Sequence, residues 1–173
     1  MPERVVRAVF LAGGLLLLPE IVNPMLTFSC LPFQQLSPED LYDIMALRQE
    51  VFVVEQNCPY LDADGKDQSS WHLFGRDASG LLACYTRLLP EGLAYEGYSS
   101  IGRVVSSPSV RGTGAGKVLM NRSIGMCRFL FGPLPIKIGA QVYLTRFYEG
   151  FGFRAVDEPY LEDGIPHIKM ILD

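Results

Sequence analysis

The sequence has no apolar run long enough to cross a membrane. The apolar stretch at residues 8–18 is short and is interrupted by Gly13 and Gly14, whereas a membrane-spanning helix needs about 20 apolar residues. Positive charge is also scarce, since 15 Lys and Arg residues against 19 Asp and Glu residues give a net charge of −4. Nucleic-acid binding needs concentrated Lys and Arg. Neither a membrane nor a nucleic acid is therefore expected as a partner.

Closely spaced metal ligands are missing as well. No two cysteines form a Cys-x-x-Cys pair, and the chain has only two histidines, His72 and His167. A structural zinc site needs four such ligands at defined spacing, so no metal is expected. Scattered single thiols are typical of a reduced, cytoplasmic protein. A catalytic Cys–His pair is the less favoured alternative for the four scattered cysteines, which are Cys30, Cys58, Cys84 and Cys127.

Residues 1–24 differ from the rest of the chain and are expected to be an N-terminal extension. Arg4 and Arg7 precede the apolar stretch, as in a signal peptide, but no small-residue cleavage site follows. The segment is interpreted as a leader or as a translation start assigned too far upstream. The alternatives are a packed or partner-binding extension and a true export signal. Residues 25–173 are expected to form one compact domain with its own core.

The rest of the chain predicts an α+β fold with a mostly antiparallel sheet flanked by helices. Ser37 is suited to cap the first helix, and Pro38 fits its first position. Helices are predicted at residues 38–55, 117–131 and 143–149. Strands are predicted at residues 26–35, 71–75, 81–89, 99–106, 135–141, 152–156 and 167–172.

A glycine-rich segment between a predicted strand and a predicted helix carries the chemistry. Residues 111–116 read Arg-Gly-Thr-Gly-Ala-Gly. Amides at a helix start have no intrahelical partner, and glycines let a ligand approach the backbone, so the segment is suited to a phosphate. A P-loop is excluded because Val118 follows Gly116-Lys117 where Ser or Thr is required. A dinucleotide fingerprint would place its third glycine at Lys117. A purely structural turn remains an alternative.

This segment resembles the Q/R-x-x-G-x-G/A signature of the GNAT N-acetyltransferase superfamily, which also stands between a strand and a long helix. Further along, residues 147–153 read Phe-Tyr-Glu-Gly-Phe-Gly-Phe, which is similar to an aromatic segment of that family. Residues 52–60 and 162–168 resemble its ElaA group. The resemblance covers residues 26–172.

The resemblance implies an N-acetyltransferase that moves an acetyl group from acetyl-CoA to an amine by direct attack. The acceptor is expected to be a small-molecule or peptide amine, and a homodimer is possible. A non-catalytic module that binds acyl-CoA as a sensor or scaffold is the alternative, because the sequence does not identify a general base.

The resemblance also assigns site residues. In the family the coenzyme diphosphate binds the glycine-rich turn and the pantetheine arm lies along the preceding strand. Tyr148 aligns with the family's general acid, although a core tyrosine is the alternative. Candidates for the base are Glu55, His72, His167 and Asp163. The implied coenzyme-binding residues are Val104, Val105, Ser106, Arg111, Gly112, Thr113, Gly114, Ala115, Gly116, Lys117 and Gln141.

Two charged features have no assigned role. Asp62, Asp64 and Asp67 lie in a polar segment without a full calcium-binding pattern. They are expected to form a solvated loop, with a cation-attracting rim as the second interpretation. Arg103 interrupts a predicted strand. It is expected either to pair with an acidic group near the substrate or to point outward.

Overall fold

The computed structural model describes residues 26–173 and the backbone of two short strands that precede them. These strands, β1 (Phe10–Leu11) and β2 (Gly14–Leu15), pair antiparallel with each other. The rest of the expected extension, residues 1–24, lies outside the described residues. Within the described part of the chain, no helix is long and apolar enough to cross a membrane.

The first sheet contains four antiparallel strands in the order in which they occur along the chain. They are β3 (Thr27–Pro32), β4 (Trp71–Arg76), β5 (Leu82–Leu89) and β6 (Ser100–Ser106). The turn between β4 and β5 is fixed by Asp77, whose carboxylate accepts hydrogen bonds from the amides of Ser79 and Leu81 at 2.9 and 3.0 Å. These bonds close a tight hairpin between the two strands.

The first helix is shorter than predicted. Helix α1 (Pro38–Arg48) begins where the Ser37 hydroxyl accepts a hydrogen bond from the Asp40 amide at 3.0 Å. After Arg48 the chain continues as a π-helix, Gln49–Glu55. Seven residues make fewer than two turns, so the apolar periodicity of the sequence does not distinguish this wider helix from an α-helix.

Helix α2 (Ala115–Phe131) covers one face of the sheet. Its buried side chains, among them Leu119, Met120 and Cys127, pack in one core with residues of both sheets. The second sheet is built around β10 (Ile165–Leu172). This strand pairs with β7 (Ile136–Gln141), β8 (Arg154–Ala155) and the unpredicted β9 (Tyr160–Glu162). Helix α3 (Thr145–Glu149) lies between β7 and β8 in the chain.

The two sheets meet at one parallel bridge between Ser99 and Ile136. There the Lys137 amide donates to the Ser99 carbonyl at 3.0 Å, and the Ser99 amide donates to the Pro135 carbonyl at 3.2 Å. Among the described residues, β6 and β7 do not pair with each other at any other point. The two strands therefore diverge and leave a groove between them. The predicted α+β fold, with a mixed and mostly antiparallel sheet flanked by helices, is confirmed.

The polar segment before β4 corrects one expectation. Asp62 and Asp67 are only 4% and 6% exposed, so the prediction of a solvated loop is wrong for these two side chains. They are buried because arginines from α1, β5 and β6 approach them and neutralise their charge. A buried carboxylate needs such partners.

Candidate active site

A cavity of about 760 Å³ lies where β6 and β7 diverge, which is a volume typical of small-ligand sites. Its wall is formed by both strands together with α3, the π-helix and the segments around residues 58–66 and 162–167. The wall brings together many of the residues predicted from the sequence: Glu55, Val104, Val105, Ser106, Arg111, Gly116, Gln141, Tyr148, Asp163 and His167.

The glycine-rich turn adjoins this wall through Arg111 and Gly116. Gly112 and Gly114 have φ angles of +78° and +87°, which glycine adopts readily. The amides of Lys117 and Val118 bond to the Gly114 carbonyl at 3.0 and 3.2 Å. By contrast, four amides have no acceptor within the described chain, and these belong to Gly112, Gly114, Ala115 and Gly116. They lie at the positive end of the α2 dipole, so they are available to an anion.

Strand β6 carries a β-bulge beside the cavity. Gly102 faces Arg87 and Val105 faces Tyr85, so Arg103 and Val104 together lie opposite a single residue of β5. Arg103 adopts a left-handed conformation with φ +52°. Past the bridge at Ser99, the groove side of β6 has no partner strand in the described structure. An unpaired strand edge of this kind can bind an extended ligand through its backbone.

Tyr148 lies on α3 and is 5% exposed. Its ring packs edge-on against Phe147 and Phe153, with ring centroids 5.1 and 6.0 Å away. Burial raises the pKa of its hydroxyl, so the group is protonated at neutral pH. The hydroxyl has no hydrogen-bond partner among residues 26–173, and the side chain lines the cavity. Tyr148 is thus placed to donate a proton there.

Glu55 and Arg111 form an ion pair at the cavity wall. Nη1 and Nη2 of Arg111 donate to Oε1 and Oε2 of Glu55 at 2.8 and 2.9 Å. The hydrogen bonds from Arg111 lower the pKa of Glu55, which makes its carboxylate a poor proton acceptor. At the far end of β7, the Gln141 side chain donates to the Gln56 amide oxygen at 3.1 Å and so connects this strand to the end of the π-helix.

His167 lies on β10 and lines the cavity. Its Nδ1 is 2.8 Å from the carbonyl oxygen of Ile165. A carbonyl only accepts, so Nδ1 carries the hydrogen and Nε2 keeps a lone pair in the neutral ring. The ring lies beside Tyr160, with centroids 5.9 Å apart. This arrangement is suited to accept a proton at Nε2.

His72 is separated from the other candidates. It is fully buried and is not part of the cavity wall. Its Nδ1 lies 2.8 Å from the Tyr85 hydroxyl, and its Nε2 lies 3.1 Å from the Asp67 carbonyl. Burial lowers its pKa. Both nitrogens are engaged inside the protein, so His72 has no path to an acceptor and we leave it out of the catalytic set. Neither histidine is hydrogen-bonded to a cysteine, which removes the Cys–His alternative from consideration.

A charged network beside the cavity was missed by sequence reasoning. Three arginines and three aspartates alternate in a closed ring, in which every side chain contacts two of opposite charge. We call it the ion ring, and in order around it the members are Arg48, Asp62, Arg103, Asp64, Arg87 and Asp67. Of the two alternatives for Arg103, the structure shows pairing with acidic groups, Asp62 and Asp64. The signal in the sequence was a pair of arginines, Arg87 and Arg103, within otherwise apolar strands.

Among the described residues, no group of three or more His, Cys, Asp and Glu side chains is arranged to hold a metal ion. The donors that are available, namely backbone amides beside a groove, fit a phosphate-bearing ligand with an extended arm.

Comparisons with known proteins agree on one family. A model of the acetyltransferase (GNAT) domain matches residues 34–173. A UPF0039 protein of Synechocystis is 47% identical over 139 residues, which cover 80% of this chain and 90% of that protein. The ElaA protein of Escherichia coli is 42% identical over 148 residues, covering 84% and 95%.

Solved structures give the same result. The crystal structure of an acyl-CoA N-acyltransferase from Pseudomonas aeruginosa has a TM-score of 0.79 and 43% identity, and the match covers 84% of this chain and 98% of that one. The crystal structure of Escherichia coli ElaA has a TM-score of 0.80 and 39% identity, with 86% and 100% covered.

Proposed function

The chain belongs to the GNAT acetyltransferase family and is an acyltransferase of its ElaA-like group, and we propose that it transfers an acetyl group from acetyl-CoA directly to an amine. The observation that carries this proposal is the cavity between β6 and β7. It joins an unpaired strand edge, amides without acceptors and an available tyrosine hydroxyl. This family uses an acyl-CoA as cosubstrate, and the choice of acetyl-CoA is part of the proposal.

Backbone groups hold the donor in this proposal. The amides at Gly112, Gly114, Ala115 and Gly116 bind the diphosphate, and the α2 dipole adds to the attraction. The groove side of β6, around Val104 to Ser106, binds the pantetheine arm through its main chain. Thr113 keeps its place in the turn because its hydroxyl donates to the Val110 carbonyl at 2.7 Å. Lys117 contributes one positive charge at the helix start.

The transfer itself breaks the thioester C–S bond and forms a C–N bond. The amide of Val104 donates to the thioester oxygen, which gains negative charge during attack. His167 Nε2 accepts the proton that the attacking amine loses. Tyr148 gives its proton to the departing thiolate and takes one back from water. No covalent bond to the protein is needed.

The acceptor in this proposal is the amine of a small molecule or a peptide. It enters from the end of the cavity formed by Tyr60, Leu61, Glu162 and Asp163, which all lie in the wall. A homodimer and a cytoplasmic location remain predictions made from the sequence.

The test is a screen for acetyl-CoA-dependent release of free thiol with a panel of amines, namely polyamines, amino acids, and peptides with free lysines or N-termini. We expect release with at least one class and none without an amine. Calorimetry with acetyl-CoA accompanies the screen. Binding without release from any amine would favour a non-catalytic acyl-CoA module, and no binding at millimolar concentration would contradict the donor assignment.

A further inference from the structure

We propose that the ion ring is a positioning device, which fixes the bulge of β6 and with it the amide of Val104 for acyl transfer. Arg103 and Asp62 are its positioning residues. This inference rests on the proposed use of that amide, and it assigns a role to six charged side chains that are otherwise unexplained.

The ring is closed and electrically balanced. Arg48 contacts Asp62 and Asp67, each at 2.7 Å. Arg87 contacts Asp67 at 3.0 Å and Asp64 at 2.7 Å. Arg103 completes the ring through Asp64 at 3.4 Å and Asp62 at 2.6 Å. Because three positive charges meet three negative ones, the ring presents no net charge to a substrate. Its members are instead held in fixed positions relative to one another.

One of the three arginines belongs to the bulge, and a second one flanks it. Arg87 lies directly across from Gly102, and Arg103 is inside the bulge with φ +52°. A left-handed conformation is unfavourable for a residue with a side chain and persists only where the surroundings enforce it. The Arg103 guanidinium supplies that constraint, since it donates to the Asp62 carboxylate and also to the Asp62 carbonyl at 3.1 Å.

The other side of the ring is anchored in the core. Arg48 is fully buried at the junction of α1 and the π-helix. Asp62 is held by Arg48 and also accepts a hydrogen bond from the Tyr60 hydroxyl at 2.8 Å. A shift of the bulge would have to break the ion pair between Arg103, whose side chain is 21% exposed, and Asp62, whose side chain is 4% exposed. The bulge is thereby tied to α1 and to the segment before β4.

Direct contact between Arg103 and the acceptor is the competing explanation, because Arg103 lines the cavity and its side chain is 21% exposed. Asp62 separates the two explanations. It is 4% exposed and is not part of the cavity wall, so it acts only through its partners. If the ring positions the bulge, substitutions at Arg103 and at Asp62 lower kcat in the same way.

The experiment compares Arg103→Met, Asp62→Asn and the double variant with the unchanged protein. We expect each single variant to lower kcat by about tenfold or more, because a misplaced oxyanion donor weakens transition-state binding. The Kd for coenzyme A, measured by calorimetry, stays within about threefold, since most of that binding is assigned to the turn before α2. We expect the double variant to be hardly worse than either single one, because the two residues act as a unit.

Arg76→Met is the matched control. Arg76 also contacts two aspartates, Asp40 and Asp43, at 2.7 and 2.8 Å, and its side chain is 26% exposed. It is not part of the cavity wall. We expect its kcat to match that of the unchanged protein. Arg103→Gly is the second variant, because glycine accepts φ +52° but has no guanidinium, and we expect its kcat to stay low.

Three kinetic results would overturn the inference. A raised KM for the amine in Arg103→Met alone, with Asp62→Asn unaffected, would assign Arg103 to direct contact. Full kcat in Arg103→Gly would show that the guanidinium is not needed. Equal kcat in the ring variants and Arg76→Met would reduce the ring to a stabilising feature.

A separate readout does not depend on the proposed function. Amide hydrogen exchange at Val105, whose N–H faces β5, reports local opening beside the bulge. We expect exchange there to be about tenfold faster in Arg103→Met and Asp62→Asn than in Arg76→Met. If no amine supports thiol release but exchange accelerates in this way, the proposed function fails while the ring still fixes the bulge. Unchanged exchange in both ring variants overturns the positioning role itself.

Discussion

Tyr148 carries the hydroxyl that the proposed transfer uses as its general acid. Burial keeps this group protonated, and no other side chain among residues 26–173 uses it. Tyr148→Phe removes only the hydroxyl, so the packing against Phe147 and Phe153 is retained. We expect kcat to fall by about a hundredfold, the usual range for a lost general acid, with little change in the Kd for acetyl-CoA. Steady-state kinetics with calorimetry measures both.

The control for this variant is Tyr42→Phe, because Tyr42 is 76% exposed on α1. It should leave both constants unchanged. Equal losses of kcat and coenzyme binding in Tyr148→Phe would assign Tyr148 to packing.

The general base is the second prediction at this scale. His167→Gln should lower kcat about a hundredfold at pH 7. The deficit should shrink as the pH rises toward the pKa of the acceptor amine, because the amine then loses its proton to solvent. Glu55→Gln is the paired variant, since Glu55 is already bound by Arg111, and its kcat should show no such pH-dependent deficit. Initial rates over a pH series measure this. If the loss of kcat narrowed with rising pH in Glu55→Gln and not in His167→Gln, Glu55 would be the general base instead of His167.

At the scale of elements, the turn before α2 is the unit to test. Gly114 and Gly80 both have φ +87°, and a Cβ added at either meets no atom within 4 Å. Alanine at either position should therefore lower the free energy of unfolding by a similar amount, about 1 kcal/mol. Only Gly114→Ala should also raise the Kd for acetyl-CoA, by about tenfold, since only this turn is assigned to the diphosphate. Thermal unfolding and calorimetry measure the two effects. Equal Kd values in the two variants would contradict the assignment of the turn.

Elements with local signals could be predicted from the sequence, and the others could not. The unit of β6, turn and α2 was predicted because its glycines and apolar period are contiguous. The π-helix could not be predicted, because seven residues are too few to show whether the apolar positions follow the period of a π-helix or of an α-helix. The ion ring could not be predicted either, because Arg103 and Asp62 are 41 residues apart and meet only after folding. His72 was chosen by residue type alone, and burial, which decides its role, is a property of the folded chain.

At the scale of the whole molecule, the ion ring predicts acid sensitivity. Burial disfavours the charged forms of Asp64 and Asp67, but hydrogen bonds and charges from Arg87 and Arg48 outweigh it and lower both pKa values. In the unfolded chain both groups titrate near pH 4. The unfolded state therefore binds more protons in acid, so the stabilisation is complete above about pH 4 and is lost progressively below it.

The corresponding test follows the free energy of unfolding from pH 7 to pH 3. Asp64→Asn should be less stable than the unchanged protein at pH 7, and the gap should narrow as the pH falls. Asp157→Asn is the control, because Asp157 is exposed and forms no ion pair in the described structure. Denaturant unfolding at each pH gives the values. A gap for Asp64→Asn that stays constant down to pH 3 would mean that the carboxylate's charge contributes nothing.

In the proposed function, backbone amides beside the divergence of β6 and β7 bind an acyl-CoA. A coenzyme A titration followed through assigned backbone amide resonances tests this binding. The account predicts that the largest shifts fall on Gly112, Gly114, Ala115 and Gly116, with further shifts at Val104, Val105 and Ser106. The hairpin around Gly80 should not respond. Shifts confined to another surface, or none at millimolar coenzyme A, would contradict the account.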